Sequence, residues 1–116
     1  MHETIHCLGF SADVFAHYRG PSGAPHPVVT LSSSNPYGPQ NTVKLLGTPT
    51  VVRAVQAQFN CSQAVGAEIE TDGSGGTAGS HWEKRVWIDE IMSMDAGMLH
   101  GKRGRLTAVT LSLIHI

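Results

Sequence analysis

The chain opens with His2-Glu3-Thr4-Ile5-His6, and Gly9 follows three residues after the second histidine. On a helix, His2 and His6 lie one turn plus a fraction apart, so their imidazoles share a face. Two neutral imidazoles spaced this way can grip one Zn²⁺. The glutamate between them can act as general base on the water that the metal activates. A catalytic site of this kind takes three protein ligands and keeps a fourth position open for water. A third ligand is therefore expected downstream, beyond a sharp turn that Gly9 permits. The chain holds seven histidines in 116 residues, so the pentapeptide alone could arise by chance and needs support elsewhere.

That support is the segment Gly79-Ser80-His81-Trp82-Glu83-Lys84-Arg85, followed by Asp89-Glu90-Ile91-Met92. Together with the opening motif, it resembles the leishmanolysin family of zinc metalloproteases, which includes the invadolysins. Most metzincins place the third ligand three residues after the glycine, which here is Ala12, a residue that cannot bind metal. Leishmanolysins carry a long insertion instead, then a G-S-H-x-x-x-R segment, with a methionine eleven positions after the histidine. Here 74 residues separate His6 from His81, and Met92 stands eleven positions after His81. Met94 is a rival at thirteen and is set aside.

The resemblance extends over most of the chain. Thr48 to Cys61 is similar to a family segment ending in Tyr-Gly-Cys. Glu68 to His81 is acidic and then glycine-rich, as in the family, and Thr107 to Leu111 resembles the helix after the methionine. Residues 12–47 match loosely, and Ile114-His115-Ile116 does not match.

The resemblance implies that His2, His6 and His81 are zinc ligands and that Glu3 is general base and proton shuttle. It makes Met92 the Met-turn, an apolar floor beneath the metal. The expected fold is α+β, a piece of a zincin or metzincin-like catalytic domain. It would comprise an active-site helix, a long insertion, a third-histidine loop with the Met-turn, and a following helix. Residues 1–113 would be a partial catalytic domain and 114–116 an unmatched tail. The expected activity is zinc-dependent hydrolysis of peptide bonds in protein or peptide substrates. Family members are often secreted or attached to cell surfaces, and some are linked to cell adhesion. Any membrane attachment would reside outside these residues, and a cytoplasmic location stays open.

Two other readings compete. One is a catalytically incompetent fragment. The other is a structural zinc module closed by a fourth protein ligand such as Cys7. Cys7 directly follows His6, so on a helix it points about 100° away from it. Because the helix starts inside its own site, its first turn lacks internal partners for its N–H groups. The chain is accordingly read as part of a longer protein. Cys7 and Cys61 are open to pairing with each other, with cysteines elsewhere, or with nothing.

Certain elements must position these residues. Residues 1 to about 11 read as the end of a helix, stopped near Gly9. Residues 12–47 are turn-rich, with Gly20-Pro21-Ser22-Gly23 and Asn35-Pro36-Tyr37-Gly38-Pro39. Val28 to Leu31 and Val43 to Leu46 are strand candidates. Thr48-Pro49 reads as an N-cap with proline at the first helical position. Val51, Val55 and Phe59 then mark an amphipathic helix of about 11 residues. Asp72 to Gly76 is a break. Leu106 to Ile114 is helix or strand by periodicity, and the resemblance favours helix.

The remaining candidates have ordinary readings. His17, His26, His100 and His115 read as solvated histidines, and Trp82 and Trp87 as packing residues. Asn60-Cys61-Ser62 fits a glycosylation sequon, a short and common pattern. Lys102, Arg103 and Arg105 read as a solvated loop. The formal net charge of −1 gives no basis for a nucleic-acid partner or an anionic membrane surface. No apolar run approaches the ~18 residues of a membrane span.

Overall fold

The computed structural model describes residues 1–20, 22–26, 28–32, 42–71, 78–93 and 104–114, with backbone only for 28–32 and 42. Helix α1 spans His2–Cys7, α2 Ala12–Phe15, α3 Pro49–Phe59 and α4 Ala108–Ile114. Strands β1 (Val28–Ser32), β2 (Thr42–Leu46) and β3 (Ala67–Ile69) form one antiparallel sheet in the order β1-β2-β3. The mixture of helix and antiparallel strand is the expected α+β class.

The opening helix ends at Cys7 and closes through Gly9, the stop the sequence suggests, in a Schellman-type turn. Gly9 N–H donates to the His6 carbonyl at 3.0 Å, and Phe10 N–H donates to the Ile5 carbonyl at 3.2 Å. Gly9 sits at φ +121°, a backbone region that side chains disfavour. Phe10 and Ile5 flank the turn and are both buried in the core, the apolar contact that usually accompanies this closure. A short second helix, α2, follows at once where the sequence suggested only turns.

Helix α3 follows its sequence signals closely. The Thr48 hydroxyl accepts from Val51 N–H, Pro49 occupies the first turn, and Asn60 closes the helix at φ 48°. Val51 and Val55 are buried, whereas Phe59 is half exposed, with its ring 5.2 Å from that of Trp87. Helix α3 packs on α4, and Thr50 Oγ1 donates to the Ser112 carbonyl at 3.0 Å. The tail that periodicity left undecided is therefore helical.

Strand β3 is the element the sequence hid. Glu68 within it, and Glu70 just after it, argue against a strand on propensity. Pairing overrides propensity here. Lys44 faces Ile69 and Leu46 faces Ala67 across β2, while Ile69 pairs in turn with Trp82. Glu70 N–H donates to the His81 carbonyl at 2.9 Å, and Glu83 N–H to the Glu68 carbonyl at 2.9 Å. Residues 81–83 thus lie antiparallel beside β3. Side chains alternate across such a pair. Ala67, Ile69 and Trp82 enter the core, while Glu68, Glu70, His81 and Glu83 share the other face. On that face burial raises the Glu68 carboxyl above its usual range, and Arg85 beside it pulls the other way.

The core beneath the site is aromatic. Trp82 and Phe10 are fully buried with ring centroids 4.5 Å apart, and Trp82 lies 6.1 Å from Trp87. Both tryptophans are packing residues, as expected. Among the described residues, no helix is long and apolar enough to cross a membrane.

Candidate metal centre

Two segments distant in sequence converge on one point. Helix α1 carries His2 and His6 on one face, and the extended segment bridged to β3 at Trp82 carries His81. His6 Nε2 lies 3.1 Å from His2 Nε2, and His2 Nε2 lies 3.2 Å from His81 Nε2. All three ligand atoms fall within 4.8 Å of one another, and all three side chains are partly buried. Among the described residues, this is the one group of His, Cys, Asp or Glu side chains that could hold a metal ion.

The outer nitrogens explain the orientation. His2 Nδ1 lies 2.7 Å from the Ile91 carbonyl oxygen, and His6 Nδ1 lies 2.6 Å from the Phe10 carbonyl oxygen. A carbonyl only accepts, so each Nδ1 carries the proton and donates it. His81 Nδ1 lies 3.5 Å from Glu70 Oε2, a carboxylate that also only accepts when ionised. In the neutral rings, the Nε2 atoms of His2 and His6 then bear lone pairs facing each other at 3.1 Å, with no proton between them. That arrangement repels unless a cation sits among them.

The spacing suits zinc. A tetrahedral ion with Zn–N bonds near 2.0–2.1 Å separates its ligand nitrogens by about 3.3 Å. The observed separations of 3.1 and 3.2 Å are close to that edge. An imidazole donor set, each ring fixed by an outer acceptor, is what a catalytic zinc site uses.

The other sequence candidates fall as follows. Glu3 is exposed on α1 between the two histidines and is not a member of the converging group. Met92 is fully buried; its carbonyl accepts from Trp82 N–H at 3.0 Å, next to His81 in the chain. Cys7 and Cys61 are both free and exposed, so they are not paired with each other, and Cys7 is outside the group. His17 is exposed and His26 partly so. Arg105 is exposed and faces Asp89 at 3.4 Å. His100, His115, Met94, Lys102, Arg103 and the Asp72 to Gly76 break lie outside the described residues.

Three supporting residues were not anticipated. Glu70 backs His81. Glu90, fully buried, accepts from Met92 N–H at 2.5 Å, Thr110 Oγ1 at 2.5 Å and Thr107 N–H at 3.3 Å. Thr110 Oγ1 in turn accepts from Trp82 Nε1 at 2.8 Å. Glu90 thus ties Met92 to the start of α4 and, through Thr110, to the residue after His81. Tyr18 donates to the Gly9 carbonyl at 2.5 Å, holding the turn after α1. Burial pushes the Tyr18 hydroxyl up to about 12.

A cavity of about 380 Å³ opens among Ala12, Phe15, Ile69 and Gly79, and none of the three histidines lines it.

Residues 1–115 match the leishmanolysin family. The chain belongs to the leishmanolysin family. It is 33% identical over 120 residues to a leishmanolysin-like peptidase of Drosophila melanogaster, covering 79% of the chain and 18% of that protein. It is 34% identical over 111 residues to a leishmanolysin homolog of Crithidia fasciculata, covering 96% of the chain and 15% of that protein. Leishmanolysin of Leishmania major is 30% identical over 112 residues, covering 97% of the chain and 16% of that protein. The chain therefore spans less than a fifth of the length of these leishmanolysin relatives. The leishmanolysin family is a metallopeptidase family, which implies a metal.

Proposed function

We propose that the chain carries the catalytic zinc centre of a leishmanolysin-type endopeptidase, with His2, His6 and His81 as the ligands. The observation that carries this reading is the pair of nitrogens on each ring. The Nε2 atoms face one point, and each Nδ1 faces an outer acceptor. Zinc held there supplies a Lewis acid that lowers the pKa of a water and polarises the peptide carbonyl.

The chain's own residues do the rest. The Ile91 and Phe10 carbonyls and the Glu70 carboxylate hold the rings in the tautomer that leaves Nε2 free to ligate. Glu3 takes a proton from the attacking water and delivers it to the leaving amine. Its exposure on α1 lets it meet substrate. Met92 closes the floor behind the histidines with an apolar, unreactive side chain. The three-histidine set leaves room for water, which favours a catalytic over a closed structural site, and Cys7 is not placed to fill it.

Metal analysis and peptide cleavage test the reading together. The protein is expected to hold one zinc and to lose cleavage when a chelator removes it, with recovery on adding zinc back. Tight zinc without any cleavage would make this a non-enzymatic metal module. No zinc uptake would remove the metal assignment itself.

A further inference from the structure

We propose that Glu70 is a positioning residue that sets how tightly His81 holds the metal, and that Lys84 moderates it. The inference rests on the zinc reading above and adds two residues to it.

Sheet register places Glu70 where it can act. Ile69 pairs with Trp82, so Glu70 stands directly across from His81, and cross-strand neighbours on one face touch. Glu70 is only 6% exposed, so its carboxylate must find partners within the protein. Oε2 lies 3.5 Å from His81 Nδ1, and Oε1 lies 3.2 Å from Lys84 Nζ. One carboxylate thus bridges a ring and a cation.

The three histidines are not backed alike. His2 and His6 face backbone carbonyls, which are neutral, whereas His81 faces a carboxylate. A charged acceptor on Nδ1 pushes electron density into the ring and makes Nε2 the better donor to a metal. Lys84 draws part of that charge to the other oxygen and so limits the effect. The third ligand comes from the segment bridged to β3 rather than from α1, and it gains both its direction and its donor strength from β3 and the residue that follows it.

The test uses the protein and Zn²⁺ itself. Zinc affinity is measured by competition with a chelating dye for wild type, Glu70→Gln and Lys84→Met. Glu70→Gln keeps the size and an acceptor but removes the charge, and affinity is expected to fall roughly ten- to a hundredfold. The melting temperature of the chelated protein is expected to stay close to wild type. Lys84→Met, at a partly exposed position, is expected to bind zinc more tightly than wild type. Ring ¹⁵N spectra of the zinc-loaded proteins should move for His81 in Glu70→Gln and stay put for His2 and His6.

Unchanged zinc affinity in Glu70→Gln overturns the proposal. So does a loss matched by an equal fall in the melting temperature of the chelated protein, which makes Glu70 merely structural. Weaker binding in Lys84→Met overturns the moderating role. Failure of wild type itself to take up zinc refutes the metal reading beneath it, and is told apart because no variant is then needed to see it.

Discussion

His2 Nδ1 meets the carbonyl oxygen of Ile91 at 2.7 Å, across 89 positions of chain. The His2 ring is therefore steered by the backbone immediately before Met92. The residue before Met92 thus orients His2 through its main chain, separately from anything the Met92 side chain does. The two roles can be separated. Met92→Leu keeps volume and leaves the Ile91 carbonyl in place, so it should cost under about 1.5 kcal/mol in denaturant unfolding. Zinc affinity should stay within about twofold of wild type. A large loss of zinc in Met92→Leu would mean that the sulfur-bearing side chain itself matters.

Glu3 separates chemistry from binding. It lies between His2 and His6 in the chain but is outside the converging group. Glu3→Ala should leave zinc content near one per chain. Removal of a general base should reduce turnover by roughly 10²–10⁴-fold, since proton transfer contributes about that much. Loss of zinc from Glu3→Ala would make the residue a ligand and the proposed proton transfer wrong.

Much of the site could be read from sequence, because metal chemistry demands particular residue types. The convergence of His2, His6 and His81 is legible from spacing and segment. Thr48 and Pro49 likewise announce α3, since capping and fixed φ act locally. The support around the ligands could not be read in the same way. Glu70 and Glu90 look like solvated acids in a chain where acids are ordinary. Only register places Glu70 opposite His81, and only tertiary packing folds Thr107 and Thr110 onto Glu90. Strand β3 was missed for the same reason: its pairing with β2 and with residues 81–83 outweighs its own poor propensity.

Glu90 is expected to matter for stability out of proportion to its distance from the histidines. Glu90→Ala leaves the hydroxyl of Thr110 and the N–H groups of Met92 and Thr107 without their acceptor in a buried setting. Hydrogen bonds to a charged group contribute about 1.5–3 kcal/mol each, and unsatisfied buried donors carry their own cost. A loss on the order of 3–5 kcal/mol is expected from losing two or more such bonds at once. Chemical denaturation of zinc-loaded protein checks it. A loss below about 1 kcal/mol, the scale of one ordinary neutral hydrogen bond, would show that the network is dispensable.

Gly9 tests the turn that presents His6. At φ +121° an added Cβ is strained by the backbone itself, and it would stand 3.4 Å from the Tyr18 hydroxyl. Gly9→Ala should cost on the order of 1–3 kcal/mol. It should also weaken zinc binding, because the Phe10 carbonyl that orients His6 comes next in the chain. A variant of wild-type stability and affinity would show that the turn adapts at no cost.

Tyr18 makes the same turn sensitive to alkali. Its hydroxyl donates to the Gly9 carbonyl, and burial pushes its pKa up to about 12, against about 10 for a free tyrosine. The unfolded chain therefore loses this proton first as pH rises. Between about pH 10 and 12 the folded state binds more protons than the unfolded state, so stability falls with rising pH across that window. Below pH 10 the contribution is complete. Tyr18→Phe removes both the hydrogen bond and the titration. It should be less stable than wild type near neutral pH by about 1 kcal/mol, the net value of a typical hydrogen bond. The gap should narrow as pH climbs from 10 to 12, because only wild type then pays to keep the phenol protonated. Urea unfolding of both proteins across that range, with tyrosinate absorbance followed in parallel, decides it. A gap that stays constant while wild-type Tyr18 ionises near pH 10 would place the hydroxyl in water and sever it from the Gly9 turn.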